Sequence, residues 1–249
     1  MRWNDPFFHE GAGSSARTGL LILHGFTGSP CSMQELALRV AGCGYSVALP
    51  LLTGHGTTPE DMERARWTDW TSDAESALDW LCQRADRVFA CGLSMGGTLA
   101  LWLAERHPEL AGLVAINAIV RHPQEVLMRL LGRLGVPRWT KPVRNDIKAP
   151  GVDEMAYDQV PVRAARELAL LLAVVRRELA RISCPTLIFS SREDHVVPPQ
   201  NQRDIYKTIG SREKRLIELP DSYHVATMDN DREVIFSAVL EFMEKGSVQ

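Results

Sequence analysis

The sequence has 249 residues, of which 45% are hydrophobic and 24% are charged, and its formal net charge is −3. This length and apolar content fit one globular unit with a substantial core, and they exclude a disordered chain. The slightly negative charge argues against a nucleic-acid-binding protein, which normally carries a basic surplus on one face.

The cysteines and the first residues of the chain indicate its compartment. Five cysteines form an odd set without a close C-x-x-C pair, so neither a disulfide framework nor a metal site is expected. Residues 1–10 lack the basic and apolar regions of a signal peptide. The apolar stretches are too short to cross a bilayer as helices. We therefore expect a cytoplasmic protein that does not insert stably into a membrane and is monomeric or homodimeric.

Apolar runs alternate with amphipathic stretches along most of the chain. The runs predict buried parallel strands, and the stretches between them predict helices with one apolar face. The predicted strands are 20–23, 45–51, 87–93, 113–119, 186–190 and 215–219, and the predicted helices are 32–41, 67–84, 95–106, 200–209 and 231–245. Gly42 is the expected C-cap of the first helix. This order defines an α/β fold with a mostly parallel central sheet flanked by helices.

The alternation stops between residues 121 and 181, where five prolines occur and no strand is predicted. Apolar residues at helical spacing, first at 126–134 and then at 168–179, predict a helical cap inserted into the fold. The expected organisation is one domain, 1–249, with a core formed by 1–120 and 182–249 and a cap at 121–181. The first apolar face is interpreted either as the wall of an acyl channel or as the surface that docks the cap on the core.

The predicted cap is basic. Its 10 Arg and 2 Lys against 3 Asp and 4 Glu give +5, which leaves −8 for the rest of the chain. A solvated arginine face and an attraction for a fatty-acid head group or a lipid surface are both compatible with this charge. Transient contact of the cap with lipid is therefore a candidate interaction.

The segment Gly92-Leu-Ser-Met-Gly96 lies between a predicted strand and a predicted helix. In this position Gly-x-Ser-x-Gly is typical of a nucleophile elbow, a sharp turn that exposes the serine hydroxyl and needs glycine where side chains would collide. The following helix directs its first N–H groups and the positive end of its dipole at developing negative charge. Ser94 is thus the candidate nucleophile, and an ordinary glycine-rich turn is the alternative.

A serine nucleophile requires a base and an acid that orients the base. In enzymes with such an elbow the acid follows a late strand and the histidine follows the last strand. Asp194 and His224 occupy these positions. Glu193 is an alternative acid, but neighbouring side chains at a strand end point in different directions. The other histidines are interpreted as loop residues or as neighbours of the site that do not act as the base: His9, His24, His55, His107, His122 and His195.

The tetrahedral intermediate requires two N–H donors for its oxyanion. One is expected from Met95, directly after the nucleophile. The other is expected from Phe26, in the segment His24-Gly-Phe-Thr-Gly28 that follows the first predicted strand. A plain turn is the alternative interpretation of that segment.

These motifs together resemble those of the bacterial carboxylesterases and monoacylglycerol lipases of the α/β-hydrolase fold. The segments that carry the resemblance are 24–28, 54–56, 92–97, 194–198 and His224. The resemblance implies hydrolysis of small acyl esters, with short to medium acyl chains or as monoacylglycerols, through an acyl-enzyme and a triad of Ser94, Asp194 and His224. It implies no cofactor, and a cap that shapes an apolar acyl pocket.

Other functions remain open for the same motifs. Thioesterases, acyltransferases, perhydrolases and carbon–carbon bond hydrolases share this scaffold and would use the same serine. From another class, the chain could be a non-catalytic protein that binds a small ligand. Such proteins usually lack a triad member, whereas every candidate member is present here.

Overall fold

The computed structural model describes residues 4–141 and 145–246, and a seven-stranded sheet lies at its centre. Its strands are β1 (Phe7–His9), β2 (Thr18–Leu23), β3 (Ser46–Leu49), β4 (Arg87–Leu93), β5 (Gly112–Ile116), β8 (Thr186–Ser191) and β9 (Lys214–Leu219). Their order across the sheet is β1-β3-β2-β4-β5-β8-β9. The outer strand β1 runs antiparallel to β3, and the other neighbouring pairs are parallel. The predicted mostly parallel sheet is thus confirmed.

Helices cover both faces of the sheet. The α-helices outside the predicted cap are α1 (Gln34–Gly42), α2 (Pro59–Arg64), α3 (Trp67–Cys82), α4 (Met95–Ala104), α7 (Gln200–Thr208) and α8 (Arg232–Lys245). Along β2, Leu20 and Ile22 join the core that includes α1 and α8, whereas Leu21 and Leu23 join the core that includes α3, α4 and α7. This period-two alternation explains why the strands are continuously apolar, since both of their faces are buried.

The end of α1 differs from the prediction. Gly42 is the last helical residue and Cys43 is the C-cap, so the assignment of Gly42 as the cap is wrong. The glycine that the turn requires is Gly44, which has a φ of +86°. A Cβ at Gly44 would lie 2.6 Å from the Ala12 carbonyl oxygen. The left-handed conformation and the close backbone both explain the glycine at this position.

Between β5 and β8 the chain forms α5 (Glu125–Leu134), a short antiparallel pair of β6 (Trp139–Thr140) with β7 (Val160–Pro161), and α6 (Val162–Glu178). The α6 side chains Leu168, Leu171 and Leu172 are buried in the same core as α4. Residues 142–144 of the predicted cap lie outside the described residues. Within the described ranges, none of the helices combines the length and apolar character that spanning a membrane would need.

Candidate active site

The turn between β4 and α4 holds Ser94 in an unusual backbone conformation, with φ 56° and ψ −117°. A positive φ is uncommon for a residue other than glycine. Hydrogen bonds on both sides fix this turn. The Ser94 N–H donates to the Ile116 carbonyl over 3.0 Å, and the Ser94 carbonyl accepts from the Thr98 N–H over 3.1 Å. The backbone is therefore held in the geometry of an elbow.

The glycines around Ser94 are required by close backbone contacts. A Cβ at Gly92 would lie 2.1 Å from the Gly96 carbonyl oxygen, and a Cβ at Gly96 would lie 2.0 Å from the Leu23 carbonyl oxygen. Neither contact is sterically possible, and the atoms that would have to move are backbone atoms. The two glycines thus let the start of α4 pack directly against the ends of β2 and β4.

Asp194 and His224 meet in a buried pair. His224 Nδ1 and Asp194 Oδ2 are 2.8 Å apart, and the two side chains are 7% and 1% exposed. The other Asp194 oxygen accepts hydrogen bonds from the N–H groups of Val196 and Val197. Because Asp194 accepts from the Nδ1–H of His224, Nε2 of the same ring is the nitrogen that can receive a proton.

The charge environment of His224 favours its protonated form. Burial by itself lowers the pKa of an imidazole. The negative charge of Asp194 and its hydrogen bond outweigh burial, and the carboxylates of Glu154 and Asp146 add to the effect, so the pKa of His224 is raised above its usual value. An imidazole in this environment is suited to taking a proton from a serine hydroxyl during a reaction.

The alternative acid and its histidine neighbour make different contacts. Glu193 is exposed and lies 3.5 Å from Lys148 Nζ, away from His224. The exposed ring of His195 bonds through Nδ1 to Asp146, over 2.8 Å. The structure therefore brings Asp194, and not Glu193, to His224.

Two other histidines are buried at the first strand-to-helix loop, where the rings of His24 and His55 contact each other and His55 contacts Phe26. His24 Nδ1 donates to the Gly25 carbonyl, and His24 Nε2 accepts from the Leu52 N–H. Burial lowers the pKa of His24 to about 4 and the pKa of His55 well below its usual value. Both rings are thus neutral and brace the loop. His122 borders the cavity beside Ser94, and burial lowers its pKa as well.

The two predicted oxyanion donors lie close to Ser94. Phe26 is part of the loop after β2, and a Cβ at the neighbouring Gly25 would lie 3.5 Å from the Ser94 Cβ. Met95 is the first residue of α4. Within residues 4–141 and 145–246, neither the Phe26 N–H nor the Met95 N–H donates to a backbone carbonyl. Both amides are therefore available to a bound oxygen.

A cavity of about 380 Å³ opens over Ser94 and His224. Its walls are largely apolar and come both from the core and from the segment between β5 and β8. They include Leu127, Met128, Leu131, Val160, Leu168 and Val196. Leu127 and Leu131 of α5 thus border the cavity, although Leu127 also remains 46% exposed. Val126 and Leu134 of the same helix are 83% and 62% exposed. The predicted apolar face of α5 serves as a cavity wall over only part of its width.

Two polar residues of the site were not predicted from the sequence. Glu154 borders the cavity, and burial raises the pKa of its carboxyl to about 7. Asn117 has a φ of 44° and donates from Nδ2 to the His224 carbonyl and to Ser191 Oγ, each over 2.8 Å. Neither residue belongs to a motif. The sequence carries no clear signal for Asn117, because it lies inside the predicted strand 113–119, whereas the observed β5 ends at Ile116 and leaves Asn117 free to adopt a positive φ.

The architecture itself defines a class. In a doubly wound parallel sheet, a serine at the turn after the central strand is the arrangement of the α/β-hydrolases. In agreement with this, residues 14–231 match the hydrolase family described as serine aminopeptidase, S33.

Individual relatives narrow the class. The chain is 46% identical over 241 residues to the thermostable monoacylglycerol lipase of Bacillus sp. (strain H-257), with 97% of this chain and 94% of that protein covered. It is 29% identical over 242 residues to a carboxylesterase of Bacillus subtilis (strain 168), with 96% of each covered. The solved structure of a metagenome-derived lipolytic enzyme superposes with a TM-score of 0.92 at 46% identity, covering 97% of this chain and 98% of that one. The chain belongs to the α/β-hydrolase family of carboxylesterases and monoacylglycerol lipases, as the motifs predicted, and it is an ester hydrolase.

Proposed function

We propose that this enzyme hydrolyses carboxylic esters with short to medium acyl chains, including monoacylglycerols, through an acyl-enzyme formed on Ser94. One observation carries the proposal: Ser94 and His224 border the same apolar cavity, and His224 is paired with the buried Asp194. The similarity to a monoacylglycerol lipase over nearly the full length supports this substrate class.

The first step is the attack of Ser94 Oγ on the ester carbonyl carbon. His224 Nε2 takes the hydroxyl proton as the bond forms, and Asp194 stabilises the resulting imidazolium. The amides of Phe26 and Met95 donate hydrogen bonds to the oxyanion, and the start of α4 adds its positive dipole end. Collapse of the intermediate breaks the bond to the alcohol, which leaves with the proton from His224.

The second step reverses these roles with water. His224 takes a proton from a water molecule that attacks the acyl carbon, and the same two amides bind the new oxyanion. The acid then leaves and Ser94 recovers its proton. In both steps His224 is the only group that takes up and releases protons.

The lining of the cavity offers different surroundings to the acyl part and to the alcohol part of an ester. The apolar walls fit an acyl chain, because burying its methylenes is worth about 0.8 kcal/mol each. The half-buried Glu154 supplies a hydrogen-bonding group at the wall, as small-molecule sites usually do to fix orientation. We assign the glyceryl hydroxyls to this carboxyl, since a polar alcohol satisfies it better than an alkyl group does.

Residues 121–181 are proposed to act as a cap on a core formed by 1–120 and 182–249. The cap carries a charge of +5, and α5 exposes Val126, Leu130 and Leu134. An apolar stripe on a basic segment is suited to transient contact with an anionic lipid surface.

The five cysteines are free thiols, which supports a reducing compartment such as the cytoplasm.

The test is kcat/KM on p-nitrophenyl esters from acetyl to palmitoyl, with monoolein assayed beside them. Ser94→Ala and His224→Ala should each lower turnover by several orders of magnitude, because members of such a triad act as a unit. Asp194→Asn should retain more activity. Near-native activity of Ser94→Ala would overturn the assignment.

The same assay separates the remaining functions. Acyl thioesters and aminoacyl p-nitroanilides are measured in parallel, and a fluorophosphonate probe reports whether Ser94 is activated. If Ser94 labels but the enzyme turns over thioesters or anilides faster than esters, that activity would replace the ester hydrolysis proposed here. A serine that does not label would indicate a binding protein.

A further inference from the structure

Residues 145–149, here termed the strap, cross two loops of the site. One loop carries Asp194 and the other carries His224. The strap residue Asp146 lies between them with a side chain that is 12% exposed. Asp146 Oδ1 is 2.8 Å from His195 Nδ1, and Oδ2 accepts hydrogen bonds over 3.1 Å from the N–H of His195 and from the N–H of His224. One carboxylate thus binds the residue after the acid and the base itself.

The strap has further bonds to the loop of the base. The Asp146 carbonyl accepts from the Val225 N–H over 3.1 Å. The N–H groups of Lys148 and Ala149 donate to the buried carboxylate of Asp229, which also accepts from the Tyr223 N–H. Hydrogen bonds to a buried charged group are the stronger class. The backbone of Asp146 and of the residues that follow it is therefore anchored to the loop of the base.

Exposed ion pairs between the same segments contribute much less. Lys148 Nζ lies 3.5 Å from Glu193 in the acid loop and 3.0 Å from Asp221 in the base loop. Asp221 is 59% exposed, and pairs at such sites are typically worth less than about 1 kcal/mol. Asp146, and not Lys148, is the side chain that can hold the two loops together.

We propose that Asp146 is a positioning residue, which fixes the loops of Asp194 and His224 relative to each other and so aims the His224 ring at Ser94. The bond between Asp194 and His224 joins only their side chains, and Asn117 holds the His224 carbonyl. Asp146 adds a constraint at the His224 N–H and is bonded to the acid loop as well, through His195. This inference rests on the proposed function, because it assumes that His224 is the base.

The charge of Asp146 supplies a readout that a purely structural role would not. The carboxylates that act on His224 are Asp194, Glu154 and Asp146, and together they raise the pKa of His224 against the effect of burial. Removing the charge of Asp146 destabilises the protonated form of His224 and so lowers the pKa of that ring. The acidic limb of kcat/KM, which follows the deprotonation of the base, should then move to lower pH.

The experiment compares Asp146→Ala, Asp146→Asn and wild type on p-nitrophenyl butyrate from pH 5 to 9, with Asp221→Asn as the matched control for loss of a nearby exposed charge. Asp146→Ala should lower kcat by about tenfold to a hundredfold with little change in KM, because small misplacements of catalytic groups cost up to about a hundredfold. Asp146→Asn keeps an oxygen for the two N–H groups, so it should recover most of kcat and still shift the acidic limb. Asp221→Asn should match wild type in both respects.

Melting temperatures of all variants separate positioning from folding. If Asp146→Ala does not fold, the shift of the acidic limb in Asp146→Asn carries the test. Wild-type kcat in a folded Asp146→Ala, or an unshifted limb in a folded Asp146→Asn, would overturn the inference, as would equal losses in Asp221→Asn. An inactive wild-type protein that does not label with a fluorophosphonate would instead overturn the proposed function.

Discussion

Ser94 can hold its positive φ because its neighbours lack side chains. Gly92 and Gly96 approach each other and the end of β2 so closely that added Cβ atoms would lie about 2 Å from carbonyl oxygens, as detailed above. Hydrogen bonds at both sides of Ser94 then keep the turn closed. The conformation of one residue is thus maintained by the composition of the positions around it, which is why the motif is readable in the sequence.

Gly96→Ala tests this account against Gly42→Ala. At Gly96 the new methyl group meets the Leu23 carbonyl, so β2 and α4 must separate. Overpacking typically lowers the free energy of unfolding by about 1–3 kcal/mol, and we expect a loss near the upper end of that range. At Gly42, in α1, a Cβ meets nothing within 4 Å, so alanine should stabilise the protein by about 0.5–1 kcal/mol. Urea unfolding measures both free energies. Equal effects of the two substitutions would contradict the steric argument.

The site was predictable from the sequence where its residues follow strands. Ser94 comes directly after a predicted strand, and Asp194 and His224 lie in the loops that follow two later predicted strands. Parallel strands deliver such residues to one edge of the sheet. Their assignment as a triad remains a prediction that the activity measurements test. Asp146 and Glu154 could not be predicted, because they lie in irregular segments and gain their roles through contacts with residues distant in the sequence.

Helix α5 is the element whose two sides have different surroundings. Its apolar residues recur at helical spacing, which predicted a helix with one apolar face. In the structure Leu131 and the partly exposed Leu127 border the cavity, whereas the more exposed Val126, Leu130 and Leu134 face solvent. Spacing identifies the apolar face of a helix, but the width of the surface that covers it depends on tertiary packing.

The exposed half of α5 is where contact with lipid should be tested. Val126→Ser combined with Leu130→Ser should lower turnover of monoolein in anionic vesicles severalfold, because the stripe loses the apolar area that partitions into lipid. Turnover of dissolved p-nitrophenyl butyrate should not change. Leu38→Ser, at a 44% exposed leucine of α1, is the matched control and should leave both rates unchanged. An equal loss on both substrates would assign α5 to the cavity alone.

The predicted elements differ from the observed ones mainly where the elements are short. The long strands and helices agree within a few residues, because burial on one or two faces gives them a clear period. The three-residue β1, the six-residue α2 and the two-residue strands β6 and β7 were missed. A period cannot be detected over so few residues, and their pairing partners are supplied by the fold.

On the scale of the whole molecule, the protein combines segments of opposite net charge with several buried ionisable groups. The segment 121–181 carries +5 and the remainder −8. Burial raises the pKa of Glu105 to about 8 and the pKa of Glu154 to about 7, and the pKa of His224 is raised by its carboxylate neighbours in spite of burial. A group whose pKa is raised on folding stabilises the protein less as the pH rises through that pKa. All three groups therefore act in the same direction.

We accordingly expect the free energy of unfolding to fall between about pH 6.5 and 8, with Glu105 making the clearest contribution. Below that range, the histidines whose pKa values are lowered by burial act in the opposite direction: His24, His55 and His122. The Glu105 side chain is 0% exposed, and it holds a proton in the folded state at pH values where the unfolded chain has released it. Such a group lowers stability by up to about 1.4 kcal/mol for each pH unit between its unfolded and folded pKa values. Glu105→Gln cannot ionise, so its unfolding free energy should depend less steeply on pH. Glu241→Gln is the matched control, because Lys245 lowers the pKa of that exposed carboxyl and it stays ionised throughout this range. Urea unfolding at four pH values gives the slopes, and a slope for Glu105→Gln as steep as that of wild type would show that Glu105 ionises normally in the folded protein.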